Sequence, residues 1–115
     1  MLASELPVYR DTLTLLSLIV DYVGTFPKLH KHTIGQRTTN IALDLFEYIQ
    51  LANRSFKERD KRLKYLETFI IKFELLKVLI RLCGEKRIIS IKQLSRLSVL
   101  IEKIGKQANA LKNSN

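Results

Sequence analysis

Lys77 and Arg81 stand one helical turn apart in the run Phe69-Ile70-Ile71-Lys72-Phe73-Glu74-Leu75-Leu76-Lys77-Val78-Leu79-Ile80-Arg81-Leu82-Cys83, where nearly everything around them is apolar. On a helix they fall with Glu74 on a narrow polar strip, held on a rigid element and aimed in one direction. That arrangement suits contacts to phosphate. The strip equally allows pairing with Asp44, Glu47 or Glu74, or simple solvation, in which case an exposed ion pair contributes little.

Further cations recur at helical spacing. Lys57, Lys61, Lys64 and Lys72, with Thr68, fall along one face, and Lys92, Arg96, Lys103 and Lys106 along another, with Glu102 the only acid near the second row. A row at i, i+4 advances about 6 Å per step, so it can track a nucleic-acid backbone, with an affinity that falls steeply with salt. A third cluster, Lys28, His30, Lys31, His32 and Arg37, surrounds the expected start of a helix, whose dipole and free amides favour an anion. No recognition-helix pattern, aromatic ribonucleoprotein set, glycine-rich RNA-binding loop or zinc-finger spacing is present, so binding through backbone and shape is expected, with weak sequence preference. Tyr9, Tyr22, Tyr48 and Tyr65 sit at helical spacing and read as core-edge residues rather than base-stacking platforms.

Catalytic readings find little support. His30 and His32 form an HxH pair without neighbouring acids, which reads as surface histidines, and no metal site or cofactor is expected. Asp44 and Glu47 lie about one turn apart, but a two-metal nuclease needs more carboxylates than these. Nucleophile triads, a P-loop and a dinucleotide fingerprint are absent, so the chain reads as a non-enzyme with no small-molecule substrate.

Charge points the same way. Residues 1–27 carry Glu5, Asp11 and Asp21 against Arg10, a balance of −2, while residues 28–115 carry nineteen Lys/Arg against eight Asp/Glu, a balance of +11. The sum of +9 over 115 residues creates a potential that draws in polyanions, and RNA or DNA leads the expected partners. With 46% apolar residues, four Gly and two Pro, the chain is a single folded domain spanning residues 1–115 rather than a basic tail. The lone Cys83 permits no internal disulfide, and no signal peptide or membrane span is evident, so a cytoplasmic setting is expected.

Four helices must position these residues. The first is expected at about 6–26, with Ser4 or Glu5 near its cap, Pro7 in its first turn and Pro27 as the stop. Its stripe is Val8, Thr12, Leu15, Leu16, Ile19, Tyr22, Val23 and Phe26; Leu13, Leu18 and Val20 lie off it. The second is expected at about 33–54, with Gly35 weakening only its first turn. The third, about 56–83, ends where Gly84 supplies a left-handed residue. The fourth, about 90–111, is capped by Ser90 and frays into Lys112-Asn113-Ser114-Asn115. Short links favour an all-α, antiparallel up-down-up-down four-helix bundle. On the third helix, Leu66, Phe69, Ile70, Phe73, Leu76 and Ile80 form one apolar side, and Ile71, Leu75, Val78, Leu79 and Leu82 another. Either both are buried inside one bundle, or the second packs on another subunit. Exposing that side would leave a larger patch than soluble monomers tolerate, which favours a symmetric homo-oligomer.

In combination these segments resemble a known family. Glu5-Leu6-Pro7-Val8-Tyr9-Arg10, Phe26-Pro27-Lys28, Ile34-Gly35-Gln36-Arg37, Leu76-Lys77 with Leu79-Ile80-Arg81-Leu82, and Ile101-Glu102-Lys103-Ile104-Gly105-Lys106-Gln107 are similar, in order, to the Avd family, the accessory variability determinants of diversity-generating retroelements. Related bundles encoded in intervening sequences of the 23S ribosomal RNA gene, with a structural or ribosome-associated role, usually begin the second helix with a Ser-Ile-Pro-Ser-Asn-Ile-Ala-Glu-Gly-like segment. Thr33-Ile34-Gly35-Gln36-Arg37-Thr38-Thr39-Asn40-Ile41-Ala42 departs from it. The resemblance implies a basic pentamer of four-helix protomers that binds nucleic acid and associates with a reverse transcriptase to support mutagenic cDNA synthesis, and it places the family's paired basic residues at Lys77 and Arg81. The Gly-Trp that often ends the family is absent, since the chain has no Trp.

Overall fold

A computed structural model describes residues 6–114. Among them the chain forms four long helices and no strand. The first, α1, spans Pro7–Gly24. The second, α2, covers residues 28–54 as a continuous rod made of Lys28–His30, a π-helical turn Lys31–Gly35 and Gln36–Arg54. Helices α3 (Arg59–Glu85) and α4 (Ile91–Asn113) complete the set.

Cross-helix contacts fix an up-down-up-down order. Tyr9 packs on Phe46 with ring centroids 4.9 Å apart, Lys72 pairs with Asp44 at 3.0 Å, and Gln107 Nε2 donates to Asp11 Oδ2 at 2.9 Å. A second contact on each seam gives the direction: Val23 meets Gly35 beyond Tyr9–Phe46, Tyr65 meets Tyr48 beyond Lys72–Asp44, and Gly84 faces Leu94 while Gly105 faces Phe73, so successive helices run in opposite senses. The bundle is about 45 Å long and 23 × 21 Å in section. Its core is filled by Leu15, Leu45, Ile49, Leu66, Phe69, Leu76 and Ile104, all essentially inaccessible to water. Burial of the lone Cys83 thiol pushes its pKa upward.

Several expected boundaries move, each for a physical reason. Helix α1 begins after Leu6, whose extended backbone makes it the N-cap without a side-chain bond; Ser4 and Glu5 lie outside the described residues. Leu18, off the expected stripe, is buried, because α1 has neighbours on both flanks, α2 and α4. Helix α2 starts at Lys28 rather than near 33. Its first turns carry one large apolar residue, Leu29, which is 74% exposed, so no apolar period marks them. The π turn also widens the spiral where a 3.6-residue pattern would be sought. Gly35 does more than start a helix: a Cβ there would meet Val23 Cγ1 at 2.8 Å and the His30 carbonyl at 3.0 Å, so its bareness lets α1 and α2 close up.

Residues 55–58 form a turn rather than the start of α3. Ser55 caps α2, donating its N–H to the Leu51 and Ala52 carbonyls, and Glu58 N–H returns to the Ser55 carbonyl at 2.9 Å. Gly84 does not end α3. The helix continues to Glu85, and Arg87 (φ 58°) is the left-handed residue. Ile88 N–H bonds the Cys83 carbonyl at 2.8 Å and Arg87 N–H the Gly84 carbonyl at 3.0 Å, the paired bonds of a Schellman close. Gly84 instead faces Leu94 across the α3–α4 seam. Ser90 caps α4 as expected: its Oγ accepts from Gln93 N–H at 3.0 Å and the Gln93 side chain accepts from Ser90 N–H at 2.9 Å. The tail is helical to Asn113, two residues past the expected end.

Candidate nucleic-acid interface

Helices α3 and α4 diverge enough to leave a groove of about 610 Å³ between them. Ile70, Phe73, Ile80, Leu94 and Ile101 form its floor, and Lys77, Arg81 and Lys106 stand on its rim. Lys77 Nζ lies 3.0 Å from Glu74 Oε1 and 5.7 Å from the Phe73 ring centroid. Its charge is therefore already partnered by the acid on its own strip. Arg81 is exposed and has no ion-pair or hydrogen-bond partner among the described residues. The two residues on one strip thus differ: one is held, the other is available.

The expected rows divide in the same way. Lys57 leaves its row, because it sits on the turn before α3, where its Nζ lies 5.7 Å from the exposed Phe56 ring. Lys61 pairs loosely with Glu58 at 3.7 Å, and Lys72 is tied to Asp44 and lies 5.9 Å from the Tyr48 ring. On α4, Lys103 approaches Asp11 at 3.9 Å and Lys106 pairs with Glu102 at 3.3 Å. Lys64, Lys92 and Arg96 are exposed without an ion-pair partner among the described residues. The rows are continuous in the sequence, but in the fold neighbouring acids interrupt their charge.

Antiparallel packing assembles a group that no single segment displays. The end of the bundle where α2 begins, α3 stops and α4 starts gathers Lys28, Lys31, Arg37, Arg81, Lys86, Arg87, Lys92 and Arg96, with Asp21 and Glu85 as acids at that level. Lys86 and Arg87 were not among the sequence candidates. Their signal lies in the Schellman close, which turns the chain outward and fixes Arg87 in a left-handed conformation at the surface. His30 and His32 stand at the same end, on the first turns of α2. Three of the tyrosines lie elsewhere, Tyr9 packed on Phe46 and Tyr48 on Tyr65 at 6.2 Å, while Tyr22 stands at this end beside Asp21; all four are half-buried at the core edge.

The second apolar side of α3 is open to solvent. Ile71 is 71% and Val78 52% exposed, and Leu75 and Leu82 are exposed beside them. Leu79 departs from this group: it is half-buried against the core, on the α2 side. Among the described residues no helix is long and apolar enough to cross a membrane.

A family model described as bAvd-like matches residues 8–115, which takes in all four helices, the groove and the basic end. No curated protein matches the chain. With nearly its whole length matched, the chain belongs to the bAvd-like family, whose members are accessory proteins of diversity-generating retroelements.

Proposed function

We propose that this bundle is a non-enzymatic, nucleic-acid-binding subunit that works beside a retroelement reverse transcriptase. In this role it holds RNA, or the cDNA copied from it, while the polymerase acts. Eight cations gathered at one end of the bundle against two acids carry this reading. Such an imbalance on rigid helix ends attracts phosphate at long range and binds it without reading bases. Arg81 supports the reading at close range, since its guanidinium is exposed beside a groove and can grip a phosphate with two parallel hydrogen bonds. Lys77 contributes once a phosphate competes with Glu74 for it. The protein acts as a homo-oligomer, with five copies suggested by the family resemblance, in which the exposed side of α3 is covered.

The test is binding of a single-stranded RNA across a salt series, together with co-purification of the reverse transcriptase encoded nearest to the gene. Wild-type protein should lose affinity steeply between about 50 and 200 mM salt. Arg81→Ala with Arg96→Ala should flatten the slope of log affinity against log salt by about 0.7 for each phosphate that the variant no longer neutralises. A Lys77→Ala/Arg81→Ala variant should fail to support cDNA synthesis by the complex. Salt-insensitive or absent RNA binding, with no polymerase retained, would overturn the proposal in favour of a structural bundle.

A further inference from the structure

At the basic end, the turn that joins α3 to α4 borders a cleft of about 530 Å³. Gly84, Glu85, Arg87, Ile89, Ile91 and Leu94 line it, so its walls are mostly apolar. Leu94 also lines the α3–α4 groove, and Arg81 stands about one turn before Glu85, so the cleft adjoins that groove on the side of the free guanidinium. Three features set the cleft apart. Ile91 is 88% and Leu29 74% exposed, the highest values for large apolar side chains among the described residues, and both stand among the cations of this end rather than on the flanks. The bareness of Gly84 leaves room beside Leu94, since a Cβ there would meet Leu94 Cδ2 at 2.8 Å. Arg87 holds a left-handed conformation (φ 58°) that glycine would adopt at less cost, yet the residue there is an arginine, and it lines the cleft. Strain retained at a residue that borders a cavity points to a use for that residue.

We propose that this cleft receives an unpaired base of a single nucleic-acid strand, whose flanking phosphates lie against Lys86, Arg87 and Lys92. This rests on the nucleic-acid binding put forward above and adds a contact that only bases outside a duplex can make. A base is planar, has two apolar faces and carries a charged backbone, and the cleft joins apolar walls to cations at its edge. Ile89 is buried and Ile91 exposed, so a base laid against Ile91 removes from water a side chain that the fold itself leaves wet. The planar guanidinium of Arg87 can stack on the face of the base or hold a neighbouring phosphate. Lys86, Arg87 and Lys92 are exposed without an ion-pair partner among the described residues, and Glu85 is the one acid on the lining. Aliphatic walls accept any base, so sequence preference stays weak. A duplex keeps its bases stacked inside and offers this end only phosphates. An anionic bilayer would also attract exposed apolar and basic groups, but a bilayer suits a flat or convex tip, whereas this lining is concave and held in place by the Schellman bonds.

Strands that share a backbone but differ in their bases test this. The full chain is titrated at one salt concentration with oligothymidylate, with an abasic strand of equal length and with a duplex of equal length, and binding is read by fluorescence anisotropy. The abasic strand should bind about fivefold more weakly than oligothymidylate, the low end of the gain from laying a base on protein side chains, because the walls are aliphatic. Ile91→Gln, at an exposed position and without change of charge, should bring the two strands close to equal affinity while leaving the abasic strand and the duplex bound as before. Arg87→Gly should lower affinity for both strands and shrink the difference between them. It relieves the left-handed strain, so its loss cannot be put down to unfolding. Equal binding of the two strands by the wild-type chain, or a difference that survives Ile91→Gln, would remove the base cleft and leave nucleic-acid binding intact. Failure to bind any of the three would remove nucleic-acid binding itself. Equal binding of the two strands together with sedimentation on phosphatidylserine vesicles that Ile91→Gln abolishes would assign the cleft to a membrane instead.

Discussion

Gly35→Ala is a sharp test of how α1 and α2 are joined. In an ordinary exposed helix the change would stabilise by about 1 kcal/mol, because Gly loses more backbone freedom on folding. Here the new methyl would lie 2.8 Å from Val23 Cγ1, 3.0 Å from the His30 carbonyl and 3.1 Å from Phe26 Cδ2. Val23 is β-branched and has essentially one helical rotamer, so it cannot swing away cheaply. The His30 carbonyl belongs to the π turn and moves only if that turn rewinds. Overpacking of this kind costs about 1–3 kcal/mol and outweighs the propensity gain. The expected net loss is up to about 2 kcal/mol, or a fall in Tm of up to roughly 10 °C for a domain of this size. Gly24→Ala is the control, since a Cβ there meets nothing within 4 Å and the residue lies at the end of α1; it should stabilise by about 0.5 kcal/mol. Urea and thermal melts followed by far-UV circular dichroism measure both. The same stabilisation at both positions would refute the reasoning and mean that the π turn relaxes freely.

Two further outcomes concern the helix ends. Arg87→Gly removes the strain of a left-handed non-glycine residue while leaving the Schellman bonds in place, and should raise stability by about 1 kcal/mol in a urea melt. Ser90→Ala removes the acceptor for the Gln93 N–H and half of the capping box, and should lower stability by about 1 kcal/mol, with Ser90→Asp restoring most of it.

Much of the fold was legible because its signals are local. Pro7, the Ser90 capping box and the 3.6-residue stripes of α1, α3 and α4 each act within a turn or two, so the number and kind of helices follow directly from them. What escaped was non-local or nearly apolar-free. Residues 28–33 carry a single large apolar side chain, so the first turns of α2 have no period to read, and the π turn ends at Gly35, where α1 packs closest, a contact between segments that no local pattern announces. Gly84 is a reasonable terminator by type, but its neighbour Leu94 comes from another helix, and the chain reverses at Arg87 instead. The site divides in the same way. Lys77 and Arg81 stand out by their apolar surroundings, whereas the Asp11–Gln107 bond that draws in Lys103, and the Asp44 carboxylate that occupies Lys72, join residues 96 and 28 positions apart. A row of lysines in a sequence says nothing about the acids that another helix will place beside it.

The uneven ends of the bundle acquire a direction once copies stand side by side. Copies that meet through their flanks, around an axis running along the helices, all point the same way, so every basic end opens on one rim and no symmetry operation carries it to the other. In such an assembly the two rims differ in arrangement: the mouth gathers Lys28, Arg81, Lys86, Arg87, Lys92 and Arg96 with few acids among them, whereas on the other rim Arg10, Arg54, Lys57, Lys61 and Arg62 are interleaved with Asp11, Glu58 and Asp60. A strand arriving at the mouth would meet several such ends at once, and the opposite rim would be left for a partner that does not compete with it.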